Sequence, residues 1–78
     1  MKKFTVAILG CGGRGVVFAQ NMVSKINEGK FEITTLCDPD RAQIDNIITM
    51  CPSVKPQIFL DVDEFFKEKR ADIMVIAT

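Results

Sequence analysis

The chain has 78 residues, 47% of them apolar, with ten basic and ten acidic side chains and no histidine. That balance fits a soluble globular chain of at most one domain, and it excludes a disordered tail, a coiled coil and a basic nucleic-acid-binding module. No apolar run approaches the roughly 18 residues that cross a bilayer, so no membrane partner is expected.

Met1-Lys2-Lys3 is basic, but the apolar run behind it has no small-residue cleavage site and leads straight into glycines. It reads as a strand rather than a signal peptide, and a cytoplasmic location is expected. Phe4 to Leu9 is apolar except for Thr5, the pattern of a parallel strand covered on both faces. From about Arg14 to Glu28 the period changes. Ala19, Met22, Val23 and Ile26 fall at i, i+3, i+4 and i+7, one stripe of a helix, and Gly29 is placed to end it as a C′ residue. Phe31 to Cys37 (FEITTLC) is β-branched and aromatic, a second strand.

Asp38-Pro39-Asp40 closes that strand and starts a second helix, with Asp38 as a possible N-cap and Pro39 at the first helical position. Ile44, Ile47, Ile48 and Cys51 make its apolar stripe, and Pro52 stops it. Pro56 to Phe59 reads as a short third strand. Leu60-Asp61 then opens a third helix, in which Asp61 and Glu64 have capping-box spacing, Leu60 can staple against Phe65, and Phe65 and Phe66 form the buried side. Ile73 to Ala77 is an apolar fourth strand.

The order βαβαβαβ, with right-handed crossovers, predicts an α/β fold: a Rossmann-type parallel sheet in the order 3-2-1-4, with helices on both faces. Residues 1–78 would be the amino-terminal part of a nucleotide-binding Rossmann domain, truncated after the fourth strand. Ligands of such sheets lie beyond the strand carboxyl ends, where the strand order reverses. Here that point is beside Gly10-Cys11-Gly12-Gly13-Arg14-Gly15.

Gly10, Gly12 and Gly15 have the spacing G-x-G-x-x-G, and each has a duty if a dinucleotide lies there. Gly10 turns the chain out of the strand, Gly12 lets backbone approach the pyrophosphate, and Gly15 lets helix and strand pack closely. The first amides of the helix lack intrahelical acceptors and carry the positive end of its dipole, so an anion completes them. Asp38 ends the second strand close to the distance of about 20 residues at which the ribose-binding acidic residue of this motif stands. Helix capping is the competing duty for that carboxylate.

Arg14 and Arg41 would each lie in the first turn of a helix, where a cation opposes the dipole at a cost of about 0.3–1 kcal/mol. That hints at a nearby anion, against the plainer reading of two solvated side chains. Cys11, Cys37 and Cys51 show no C-x-x-C spacing and have no histidine to complete a metal site, so no metal is expected. Three reduced thiols fit a reducing compartment, Cys11 has no base or resolving thiol to give it a redox role, and Cys37 and Cys51 read as small core residues.

Taken together, VAILGCGGRG, LCDPDRA and ADIMVIAT resemble the amino-terminal domain of the glucose-fructose oxidoreductase / inositol dehydrogenase (Gfo/Idh/MocA) family over essentially the whole chain. That family uses NAD or NADP to oxidise or reduce sugars, polyols and related small molecules, and a subset uses bound NAD for glycoside cleavage. The resemblance implies pyrophosphate binding at Gly10, Gly12 and Gly15, ribose binding at Asp38, and backbone near Ala77 and Thr78 beneath the cofactor. The family's E-K-P motif, whose lysine assists catalysis, and its substrate-binding domain would follow Thr78 and are absent from these residues.

The expected cofactor site is therefore Gly10, Cys11, Gly12, Gly13, Arg14, Gly15, Asp38, Arg41, Ala77 and Thr78, with no catalytic residue. NAD is expected over NADP, because the Asp38 carboxylate can accept from ribose hydroxyls and would repel a 2′-phosphate. The leading function is the cofactor-binding part of an oxidoreductase, with a small-molecule substrate only in a longer parent. The alternatives are a non-catalytic dinucleotide-binding or sensing module, or an NAD-dependent glycoside hydrolase. An apolar fourth strand without a further neighbour also predicts self-association.

Overall fold

Strands and helices alternate without exception along the computed structural model, which describes residues 3–52, 54–67 and 71–77. They are β1 (Phe4–Leu9), α1 (Gly13–Asn27), β2 (Phe31–Cys37), α2 (Arg41–Met50), β3 (Gln57–Phe59), α3 (Val62–Phe65) and β4 (Ile73–Ile76). The strands pair in parallel in the order β3-β2-β1-β4. This is the expected sheet, with its carboxyl ends at Leu9, Cys37, Phe59 and Ile76.

Alternation along β1 divides the core into two layers. Val6 and Ile8 are buried on the side of α1 and α2, together with Ala19, Ile26, Ile44, Ile47, Ile33 and Leu36. Ala7 and Leu9 face the other way and meet Phe65 of α3 and Cys37. Phe59 stands edge-on to Phe65, with ring centroids 6.2 Å apart. The first two helices therefore cover one face and the third begins to cover the other, as right-handed crossovers require.

The β1–β2 register advances by one residue between the Val6–Ile33 and Ala7–Thr35 pairs, leaving Thr34 as an extra residue. Such a bulge shifts the phase of the strand beyond it. It is what lets Ile33 and Leu36, three apart, lie in the same layer. The Thr34 hydroxyl is buried there with no hydrogen-bond partner among the described residues.

Several boundaries and roles differ from those predicted. α2 begins at Arg41, and its N-cap is Asp40, whose carboxylate accepts from the Ala42 amide at 3.0 Å. Pro39 thus precedes the cap, and Asp38 is not the cap at all. Phe65 is fully buried, but its neighbour Phe66 is 49% exposed, because α3 is a single turn and the next residue of a helix points about 100° away. Leu60 also stays half exposed. Asp61 does cap α3, accepting from the Asp63 amide at 2.9 Å. Gly29 has φ +78°, the left-handed conformation of a C′ glycine.

β4 is not covered on both faces. It pairs with β1 along one edge, while Met74 and Ile76, the latter 62% exposed, look outward in register with Ala7 and Leu9. At the amino ends of the strands, Asp72 and Thr5 clasp β4 to β1: the Thr5 amide donates to the Asp72 carboxylate at 3.1 Å, and the Asp72 amide donates to the Thr5 hydroxyl at 3.0 Å.

Candidate functional site

The sheet's carboxyl end gathers most of the predicted residues into one crevice. Gly10 leaves β1 with φ +92°, a conformation that favours glycine, and its amide donates to the Cys37 carbonyl at 2.9 Å. The loop is thereby sewn to the end of β2. Five residues later Gly15 lies against that turn. A Cβ on Gly15 would overlap the Gly10 carbonyl oxygen, stand 3.0 Å from its carbon and touch Ile8 at 3.5 Å. Gly10 is thus demanded by its backbone conformation and Gly15 by packing.

Gly12 and Gly13 are different. Gly12 is the N-cap of α1 in extended conformation, and a Cβ there would make only ordinary contacts of 3.7 and 3.8 Å with the side chain of Gln43. At Gly13 a Cβ would meet nothing within 4 Å. The folded chain has room for a side chain at both positions and carries none. Gly is among the favoured N-cap residues, which accounts for Gly12, whereas packing gives no reason for the missing side chain at Gly13.

The α1 amino end is also left open. The first intrahelical bond runs from the Val16 amide to the Gly12 carbonyl, no side chain caps the helix, and its first turn holds no acidic residue. The amides of Gly13, Arg14 and Gly15 are therefore without an intrahelical acceptor. Arg14 is exposed in this turn, where its charge adds to the positive end of the α1 dipole.

Asp38 forms the opposite wall. One carboxylate oxygen accepts from the Cys11 amide at 2.8 Å and the other from the Asp40 amide at 2.8 Å. A single side chain thus ties the β1–α1 loop to the β2–α2 loop. An ionised carboxylate has about four lone-pair sites, so two acceptor positions stay available for hydroxyl donors.

Cys11 takes part through its backbone. Its amide is spent on Asp38, and its side chain is buried, with the thiol donating to the Cys37 carbonyl at 3.6 Å. Burial first, then the negative charge of Asp38, pushes the thiol from the usual 9.0 up to about 12. Such a thiol stays protonated and unreactive at neutral pH. Burial likewise raises the pKa values of Cys37 and Cys51.

The remaining predicted residues divide. Arg41 lies at the start of α2 but is held by Asp45 one turn on, Nε to Oδ1 3.0 Å, on the exposed side of the helix. Ala77 follows β4, and its amide donates to the Leu9 carbonyl at 2.9 Å, which sets its backbone beside the root of the glycine loop. Thr78 lies outside the described residues. A cavity of about 170 Å³ lined by Lys3, Ile26, Phe31, Glu32 and Val54 is at the other end of the sheet and shares no residue with the crevice. Among the described residues no group of His, Cys, Asp and Glu side chains could hold a metal, and no helix is long and apolar enough to cross a membrane.

One residue of the crevice has no signal in the sequence. Gln43, in the first turn of α2, is half-buried and bounds the space above Gly12. Only the packing of α2 against α1 brings it there.

No family model matches the chain, and no curated protein matches its sequence. Among solved structures it superposes on the WlbA dehydrogenase from Chromobacterium violaceum in complex with NADH and UDP-GlcNAcA, with a TM-score of 0.72 and 20% identity. The match covers 100% of this chain and 21% of that one. The WlbA dehydrogenase from Bordetella pertussis, also with NADH and UDP-GlcNAcA, gives 0.69 at 18% identity over 99% of this chain and 22% of the other. An oxidoreductase from Agrobacterium radiobacter in complex with NAD+, L-tartaric acid and magnesium gives 0.68 at 22% identity, covering 99% and 21%. The chain has the fold of one segment of these proteins. It spans about a fifth of their length.

Proposed function

We propose that this chain binds a dinucleotide, NAD in preference to NADP, as the cofactor-binding portion of a Gfo/Idh/MocA-like oxidoreductase acting on a sugar, polyol or related small molecule. The observation that carries the reading is the pair Gly12 and Gly13, where the fold leaves room for side chains and none is present, at the open amino end of α1. Residues and ligand fit each other there: backbone that a diphosphate can approach, amides without acceptors, and a carboxylate across the crevice for the ribose. The NADH and NAD+ bound by the solved neighbours support the same choice.

In this reading the amides of Gly13, Arg14 and Gly15 hold the diphosphate, Arg14 adds charge, and Asp38 accepts from the ribose hydroxyls. Gly10 and Cys11 shape the loop, and Ala77 and Thr78 supply backbone under the ring-bearing half. Arg41, paired with Asp45, lines the approach. Bound NAD supplies hydride transfer, and the chain binds and orients it. With no histidine and no tyrosine in its 78 residues, and no lysine at the expected place, the isolated chain lacks a proton-transfer group for that chemistry and turns over no substrate. A cytoplasmic location and self-association through the exposed edge of β4 belong to the same proposal.

Calorimetric titration of the 78-residue chain with NAD and NADP tests it. Saturable NAD binding, tighter than NADP, is expected. Tighter NADP binding would remove Asp38 from the ribose site, and no binding of either would remove the dinucleotide.

A further inference from the structure

We infer that Gln43 is a dinucleotide-binding residue, its carboxamide donating to an anionic diphosphate oxygen that lies over Gly12. The inference rests on the dinucleotide reading above and adds a residue to it.

Gln43 stands at the third position of α2, three residues after the N-cap Asp40. Asp-x-x-Gln at a helix start is a capping-box arrangement, in which the Gln side chain turns back to accept from the amide of the cap residue. That duty is already filled. The Asp40 amide donates to Asp38 at 2.8 Å. Asp40 itself caps the Ala42 amide, and the Gln43 amide is used within the first turn, donating to the Asp40 carbonyl at 3.1 Å. The capping-box amide to which a Gln at this position ordinarily turns is thus engaged. Among the described residues no hydrogen bond involves the Gln43 side chain.

The carboxamide instead extends toward α1. Its Oε1 and Cδ lie 3.7 and 3.8 Å from the point where a Gly12 Cβ would be, so it borders the space in which a phosphate would approach the loop. Half a turn about the last side-chain torsion, which is broad and nearly two-fold, presents the NH2 group to that space in place of the oxygen. A neutral donor at this place attracts the diphosphate without adding a cation beside Asp38. The side-chain polar atoms of Gln43 are not among the buried unpartnered ones, so solvent meets them in the free chain and a diphosphate oxygen can take that solvent's place.

The alternative is that Gln43 is a spacer between α1 and α2. Gln43→Leu keeps the volume and removes the donor, and Gln43→Lys restores a donor on a longer stem. Titration of both variants of the 78-residue chain with ADP and with NAD, alongside thermal melts by circular dichroism, separates the two roles. The expected result is about tenfold weaker ADP and NAD binding for Gln43→Leu, recovery in Gln43→Lys, and unchanged melts. Unaltered affinity in Gln43→Leu overturns the inference while leaving the dinucleotide reading intact. A loss seen with NAD but not with ADP overturns it too, since the contact would then lie beyond the diphosphate. Failure of the unmodified chain to bind ADP or NAD overturns both readings together.

Discussion

The amino ends of α1 and α2 flank the same crevice and are finished in opposite ways. α2 is closed by the chain itself: Asp40 takes the Ala42 amide, and Asp38 takes the amide of Asp40. α1 has a glycine cap, no side-chain acceptor and no acidic residue in its first turn. A helix end that the protein satisfies serves its stability, and one that it leaves open is available to an anion. The same division runs through the glycines. Gly10 and Gly15 are required by the fold, whereas a Cβ at Gly12 or Gly13 meets no obstacle within it.

Substitution at Gly15 breaks the fold side of this comparison most severely. Its Cβ would collide with the Gly10 backbone, so Gly15→Ala should cost about 3 kcal/mol or more, read as a large fall in the urea midpoint. A variant that melts like the parent would show that the turn yields easily.

Asp38→Ala comes next. It removes the acceptor of two amides, those of Cys11 and Asp40, and should destabilise the chain by about 1–3 kcal/mol as well as weaken NAD binding and relax discrimination against NADP. Measuring the melt and both affinities together separates the two duties. Loss of stability with unchanged affinities leaves Asp38 as a loop clamp only.

Gly12→Ala sharpens the comparison because the two readouts should part. The cap effect and the reduced freedom of the unfolded chain nearly offset each other, so stability should shift by less than about 1 kcal/mol, while NAD affinity falls at least about tenfold. Gly12→Val should abolish binding. Binding by Gly12→Ala equal to that of the parent would falsify the proposal that this glycine is kept for the ligand.

Base should weaken the fold. The Cys11 thiol is raised from 9.0 to about 12 in the folded chain, so above pH 9.0 the unfolded chain loses protons that the folded chain retains. Folding stability is then fully present below pH 9.0 and declines toward about pH 12, with Cys37 and Cys51 acting in the same direction. Urea unfolding across that range, with Cys11→Ser as the comparison, would show a flatter decline for the variant.

The smallest effect belongs to Arg41→Ala, which breaks one exposed pair with Asp45 and should change stability by at most about 0.5 kcal/mol. A clear loss of NADP affinity in that variant would show that the guanidinium leaves Asp45 for a 2′-phosphate.

The strand order and the placement of helices on both faces were legible in the sequence. Hydrophobic period is a local property, and the handedness of crossovers leaves few ways to connect the pieces. The glycine turn out of β1 and the acidic residue ending β2 were likewise legible, from the motif spacing. Contacts between elements decided the rest. Asp38 and Asp40 are two acidic residues on either side of Pro39, and nothing in that tripeptide tells which caps α2 and which reaches back to Cys11. The motif spacing had already given Gly15 to packing and Gly12 to the ligand; tertiary structure supplied the contacts, setting the Gly10 carbonyl against one and open space with Gln43 beside the other. The place of β4 at the end of the order 3-2-1-4 told that one edge lacks a neighbour, but its apolar run records only what such a strand can bury, and how far Met74 and Ile76 stand exposed depends on which elements lie over them.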